Sequence, residues 1–156
     1  MKLIDKEAIL FDLDGTPIDS VPELSLAVNS MLKSLNRGTS SEDLVGNGAE
    51  KLVQRAILGD IDTTQGVDKK FYDKALSIFL TFYEDNLSGT TIYPNIIETL
   101  SRLKDMGYRI AIVTNKPFNF VEPILDGPKI GNLFEYVIGE DSLSRRKPDP
   151  MSPLLS

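Results

Sequence analysis

The chain has 156 residues and a formal net charge of −6, enough length for one ordinary domain or a small domain carrying an insertion. The acidic balance argues against nucleic acid and against anionic membrane surfaces as partners. Histidine and cysteine are both missing, which removes zinc sites of the usual kind, Ser-His-Asp triads, thiolate nucleophiles and disulfides, so catalysis must run on carboxylates, hydroxyls, lysines, arginines and metal ions.

The first predicted element, AILFDLD over residues 8–14, is short, apolar and β-rich and runs into two aspartates, Asp12 and Asp14. It reads as a buried parallel strand. Gly15 and Thr16 mark a turn, and Pro17 behind them fixes φ, removes a backbone donor and pushes Thr16 toward extended backbone. Ser20 and Glu23 have the spacing of a capping box, and Leu24, Val28, Leu32 and Leu35 mark one helical face. Residues 41–58, SEDLVGNGAEKLVQRAIL, read as two helical pieces interrupted by Gly46-Asn47-Gly48. Further on, Phe71, Ala75, Ile78 and Phe82 recur at helical spacing, and Tyr72, Phe79 and Tyr83 widen the stripe. The whole stretch from about Ser20 to Gly89 is thus an all-helical insertion, and TTIYPN with Pro94 is the return hinge.

After the hinge, NIIETLSRLKDMG predicts a helix that opens at Asn95, three residues before Glu98, and stops at Gly107. YRIAIVTN and FEYVIGED predict two more buried parallel strands, separated by a helix FNFVEPILDG with Pro123 near its start. Strands alternating with helices imply an α/β fold with a parallel sheet, whose ligands sit beyond the carboxyl ends of the strands. Asp12, Asp14, Thr114 and Asn115 would share that edge.

Such an edge suits phosphoryl chemistry. A carboxylate at a strand end can attack phosphorus and split hydrolysis into transfer and release. A second carboxylate two residues later points to the same side of extended backbone, where it can act as general acid and base. Two acidic groups with nearby carbonyls attract Mg²⁺, which prefers oxygen ligands. Thr114 and Asn115 are placed to supply neutral donors, and Lys147 a cation. Each feature has a plainer reading in isolation: a solvated strand end for the aspartates, a helix cap for Thr114-Asn115, a charged loop for Lys147, a surface arginine for Arg55. Their order along the chain favours the chemical one.

DLDGT, VTNKP and RRKPDP resemble motifs one, two and three of the haloacid dehalogenase-like phosphatases, and the helical insertion after the first resembles their cap domain. Within that superfamily, FDLDGTPIDS, VGNGAEKLVQRAI, VTNKP with the following FVEPIL, and KPDPMSPLL are similar to phosphoglycolate phosphatases. The resemblance implies a Rossmann-like parallel sheet core over residues 1–18 and 91–156, with a helical cap over 19–90. It implies a Mg²⁺-dependent phosphatase of a small phosphorylated metabolite, working through an aspartyl-phosphate. Asp12 would be nucleophile and metal ligand, and Asp14 the acid and base, ligating through its carbonyl. Thr114 and Asn115 would bind phosphoryl oxygens, and Lys147 would neutralise them and orient Asp12. In such enzymes the cap closes over the site and its loops help select substrate; Gly46-Asn47-Gly48 and Arg55 are the candidates for that contact.

The family's fourth motif, an acidic strand end completing the metal site, should follow Lys147 by a helix and a strand, whereas the sequence stops at MSPLLS. The expected core is therefore incomplete at the C-terminus, with an open sheet edge through which copies would self-associate. Two alternatives follow: a non-catalytic remnant of such a phosphatase, and a receiver-type signalling domain, which has no place for the helical insertion. No apolar run approaches the roughly 20 residues that cross a bilayer, and no signal-peptide pattern opens the chain, so the expected location is cytoplasmic.

Overall fold

The structure is a computed structural model that describes residues 7–38 and 48–142. The chain divides into two compact units, Met1–Asp19 with Thr91–Ser156, and Ser20–Thr90.

The first unit is built on three strands, β1 (Ala8–Phe11), β4 (Arg109–Val113) and β5 (Tyr136–Ile138), in the order β1-β4-β5. Both pairings are parallel, with Ala8 opposite Arg109, Phe11 opposite Ile112, Ala111 opposite Tyr136 and Val113 opposite Ile138. The expectation of three buried strands holds for β4 alone, where Ile110 to Val113 are all buried. β1 and β5 are the edges among the described residues, and Leu10 and Tyr136 stand 42% and 50% exposed. A strand with a neighbour on each side buries its apolar run, whereas an edge strand buries only part of it.

A second, two-stranded pairing joins β2 (Ile18–Asp19) to β3 (Thr91–Ile92) in antiparallel fashion. Helix α4 (Ile96–Asp105) buries Leu100 and ends as the sequence predicts. The Gly107 amide donates to the Lys104 carbonyl and the Tyr108 amide to the Leu103 carbonyl. With Gly107 at φ +86°, that pair is a Schellman cap, which the glycine enters without steric cost. Asn95 precedes the first turn but makes no side-chain cap bond. Helix α5 (Phe118–Asp126) carries Pro123 in its interior, not near its start. The missing donor is tolerated because Pro123 lies on the exposed side, while Phe120, Val121, Ile124 and Leu125 bury the other face.

The second unit is helical: α1 (Val21–Ser34), α2 (Gly48–Leu58) and α3 (Lys69–Asp85). Ala27, Val28, Met31 and Leu32 of α1 meet Leu52, Val53, Ala56 and Ile57 of α2 and Ala75, Phe79 and Tyr83 of α3 in its core. The stripe on α3 is thus centred on Ala75-Phe79-Tyr83, with Phe71, Ile78 and Phe82 at its half-buried margins. Phe79 and Tyr83 stack at 5.7 Å between ring centres. The predicted capping box does not form, since Ser20 makes no side-chain cap bond and both Ser20 and Glu23 are buried. Pro22 in the first turn removes one of the orphan donors such a box would serve. The side-chain cap is found elsewhere: Asp68 accepts the Phe71 amide at 3.0 Å and starts α3. The first predicted helical piece of residues 41–58 lies outside the described residues.

Candidate active site

Parallel strands deliver their carboxyl ends to one rim. Asp12, Thr114 and Gly139 are the first residues past the ends of β1, β4 and β5, so the pairing register sets them side by side on that rim.

On the β1 side the backbone folds back at once. Leu13 is fully buried between Asp12 and Asp14, and it anchors the turn by accepting the Thr16 and Ile18 amides at 3.3 and 3.4 Å. Gly15, at φ +74°, donates to the Ile18 carbonyl at 2.9 Å; this is backbone geometry that a side chain would strain. Pro17 has no amide to give but its carbonyl accepts the Tyr93 amide at 3.1 Å, so the flap continues into the β2–β3 pairing. Asp12 is exposed at the strand end, and its Oδ1 accepts the Leu13 amide at 2.8 Å, which fixes one face of the carboxylate.

On the β4 side Thr114 is buried and extends the ladder by donating its amide to the Ile138 carbonyl at 2.9 Å. Its Oγ1 accepts the Lys116 amide at 3.2 Å, which leaves the hydroxyl proton as a donor. Asn115 is exposed beside it. Lys116 turns back into the rim: its Nζ lies 2.7 Å from Asp14 Oδ1, with only 8% of the lysine side chain exposed against 35% for the aspartate. Sequence reasoning passed over this lysine because the cation was sought at Lys147. The signal was present in VTNKP, where Lys116 stands two residues after Thr114, just past the end of β4.

The β5 end locks that loop in place. The Glu140 amide donates to the Lys116 carbonyl at 2.9 Å, and Asp141 Oδ1 accepts the Phe118 amide at 2.9 Å. Between them Gly139 approaches so closely that a Cβ there would fall 2.9 Å from the Phe118 nitrogen and 3.0 Å from the Lys116 oxygen. No side chain fits that gap.

Asp12, Asp14, Thr114 and Asn115 therefore share one rim of one unit, joined by Lys116. Arg55 belongs to the helical unit, half-buried on α2. Asn47 and Lys147 lie outside the described residues. Among the described residues no group of three or more His, Cys, Asp or Glu gathers around a common point; at the rim the Asp12 carboxylate is a hard-oxygen donor, while the Asp14 carboxylate is paired with Lys116. Such a donor suits Mg²⁺, which takes one or two carboxylates and completes its shell with water and phosphate.

Residues 9–154 match the family model described as haloacid dehalogenase-like hydrolase. The chain belongs to that family. It is 47% identical over 155 residues to the phosphoglycolate phosphatase of Colwellia psychrerythraea, spanning 96% of this chain and 69% of the relative. Against the phosphoglycolate phosphatase of Pseudomonas syringae it is 44% identical over 91% of its own length and 53% of the relative's. The chain thus spans from about half to about two thirds of the curated relatives it matches. The crystal structure of a predicted phosphoglycolate phosphatase from Haemophilus somnus superposes with a TM-score of 0.86 at 38% identity, over 99% of this chain and 71% of that one. The fold is accordingly the family's α/β core, a Rossmann-like parallel sheet, with an inserted helical cap. The receiver-type alternative has no support in these matches. Among the described residues no helix is long and apolar enough to cross a membrane.

Proposed function

We propose that the chain carries the site of a phosphatase acting on small phosphate monoesters of the phosphoglycolate kind. The observation that carries the reading is the rim itself: two aspartates flanking a buried leucine at the end of β1, beside a buried threonine at the end of the paired strand β4. Asp12 attacks phosphorus, the bond from phosphorus to the ester oxygen breaks, and protonated Asp14 gives its proton to the leaving alkoxide. A water molecule then attacks the aspartyl-phosphate, Asp14 takes its proton, and Asp12 is released with inorganic phosphate. Thr114 and Asn115 donate to the phosphoryl oxygens, where fixed donors stabilise charge as it develops. Lys147 neutralises the same oxygens and orients Asp12.

Bound Mg²⁺ would supply charge compensation for the transferring group, and Asp12 together with Asp14 would hold it. Residues 1–18 and 91–156 form the catalytic core in this reading, and 19–90 the cap, with Asn47 and Arg55 contacting the carboxylate of the substrate. The exposed edges at Leu10 and Tyr136 are the surfaces through which copies would associate, and the setting is cytoplasmic.

The test is the Asp12→Asn variant. It should retain its melting temperature and lose hydrolysis of an aryl phosphate together with all acid-stable labelling by ³²P. Undiminished turnover in that variant would remove Asp12 from the nucleophile role.

A further inference from the structure

The lysine that follows β4 has no part in the scheme above, yet it makes a close ion pair at the rim, Lys116 Nζ to Asp14 Oδ1 at 2.7 Å. We infer that Lys116 is the positioning residue of Asp14, holding its carboxylate in place for the water-activating half of the reaction. The inference rests on the phosphatase reading and deepens it.

Three observations favour positioning over direct recognition of substrate. First, the ammonium is engaged by Asp14 and its side chain is 8% exposed, so it is poorly placed to meet an incoming anion. Second, the backbone that carries it is fixed at both ends. Its amide is bound by Thr114 Oγ1 and its carbonyl by the Glu140 amide, with Gly139 packed hard against the same carbonyl. A long, flexible side chain anchored in this way loses little further freedom when it pairs. Third, the pair joins the segment after β1 to the segment after β4. Asp14 stands two residues past the nucleophile on a flap closed by Gly15 and Leu13. Lys116 ties that flap to β4 through the side chain that does the proton transfer.

The two half-reactions can be separated kinetically. With p-nitrophenyl phosphate the leaving group departs without help from an acid, so formation of the aspartyl-phosphate depends little on Asp14, whereas its hydrolysis depends on Asp14 fully. The experiment compares the unaltered chain with Lys116→Met and Lys116→Arg, by steady-state kinetics on this ester and by acid-quenched ³²P labelling.

In K116M, kcat and KM should fall together by about tenfold, a modest share of what general base catalysis contributes, with kcat/KM unchanged and labelled protein accumulating. K116R keeps the charge and should show the same split at smaller amplitude; it decides the matter if K116M does not melt cooperatively. A fall in kcat/KM without accumulation of label would make Lys116 a merely structural residue and overturn the inference. A rise in KM at constant kcat would make it a substrate contact and overturn it equally. Absence of turnover by the unaltered chain would instead overturn the phosphatase reading, and this inference with it.

Discussion

Asp141 closes the start of a helix to which it does not belong: its Oδ1 accepts the Phe118 amide at 2.9 Å, at the first residue of α5. The residue at the N-cap position is Pro117, which has no oxygen on its side chain and makes no cap bond. The turn after β5 supplies the missing acceptor, and a carboxylate at a helix N-terminus is favoured by the helix dipole as well.

Replacing Asp141 with Ala should therefore cost about 1 kcal/mol, the usual value of a side-chain N-cap. Asp141→Asn keeps an acceptor oxygen and should lose less. Urea denaturation of the three proteins checks this, and equal losses in both variants would mean that the bond to Phe118 contributes nothing.

Gly139 is a stronger constraint. Its Cβ would meet the Phe118 nitrogen at 2.9 Å and the Lys116 oxygen at 3.0 Å, both backbone atoms that cannot rotate away. Gly139→Ala should cost about 1–3 kcal/mol, as overpacking generally does, and should lower turnover beyond the loss of folded protein, because the loop it displaces carries Lys116. The check is kcat per folded molecule, with the folded fraction taken from a melting curve. A variant as stable and as active as the original would show that the two loops separate easily.

The sequence made the strand ends legible because β-rich apolar runs ending in polar residues are hard to read in another way. AILFDLD, YRIAIVTN and FEYVIGED all become parallel strands, and Gly107 stops α4 as its position predicts. Which strand is central was not legible, since burial of Ile110 to Val113 and exposure of Leu10 follow from pairing order rather than from composition. The contact between Lys116 and Asp14 was hidden for a related reason. It joins residues 102 positions apart in sequence, and only the β1–β4 register brings them together. The caps expected at Ser20 and Asn95 do not form; at the first, Pro22 in the opening turn removes a donor the cap would serve.

At the amino end of β4, Arg109 meets Glu135 through two guanidinium nitrogens at 2.9 Å, from Nε to Oε2 and from Nη2 to Oε1. The hydrogen bond from Arg109 holds the Glu135 carboxyl below its ordinary value of 4.5, with the charges of Arg109 and Lys104 adding to it. A carboxylate with a depressed folded-state pKa stabilises the fold above its unfolded value, and that contribution disappears as pH falls through the folded value. Side-chain NMR should place the Glu135 midpoint below 4.5, and Arg109→Gln should bring it up toward the ordinary value. Because both groups are exposed, the shift should shrink in high salt. A midpoint unmoved by the substitution would mean the pair does not persist in solution.

Arg55, on α2, is with Asn47 one of the two residues proposed to contact the substrate carboxylate. A guanidinium recognises a carboxylate through paired, charge-assisted hydrogen bonds that a hydroxyl cannot reproduce. Arg55→Ala should therefore raise KM for phosphoglycolate far more than for an alkyl phosphate of the same size without a carboxylate. Loss of one such bond is worth about 1.5–3 kcal/mol, or roughly ten- to a hundredfold in kcat/KM. Arg55 also sits half-buried on α2, whose Leu52, Val53, Ala56 and Ile57 form part of the helical core, so the substitution disturbs packing as well as charge. Arg55→Met, which keeps most of the side-chain volume, separates the two effects. If the difference between esters persists in R55M, the charge selects the substrate. If both esters lose activity equally in R55A and recover in R55M, Arg55 serves the packing of α2 and the carboxylate is recognised by another group.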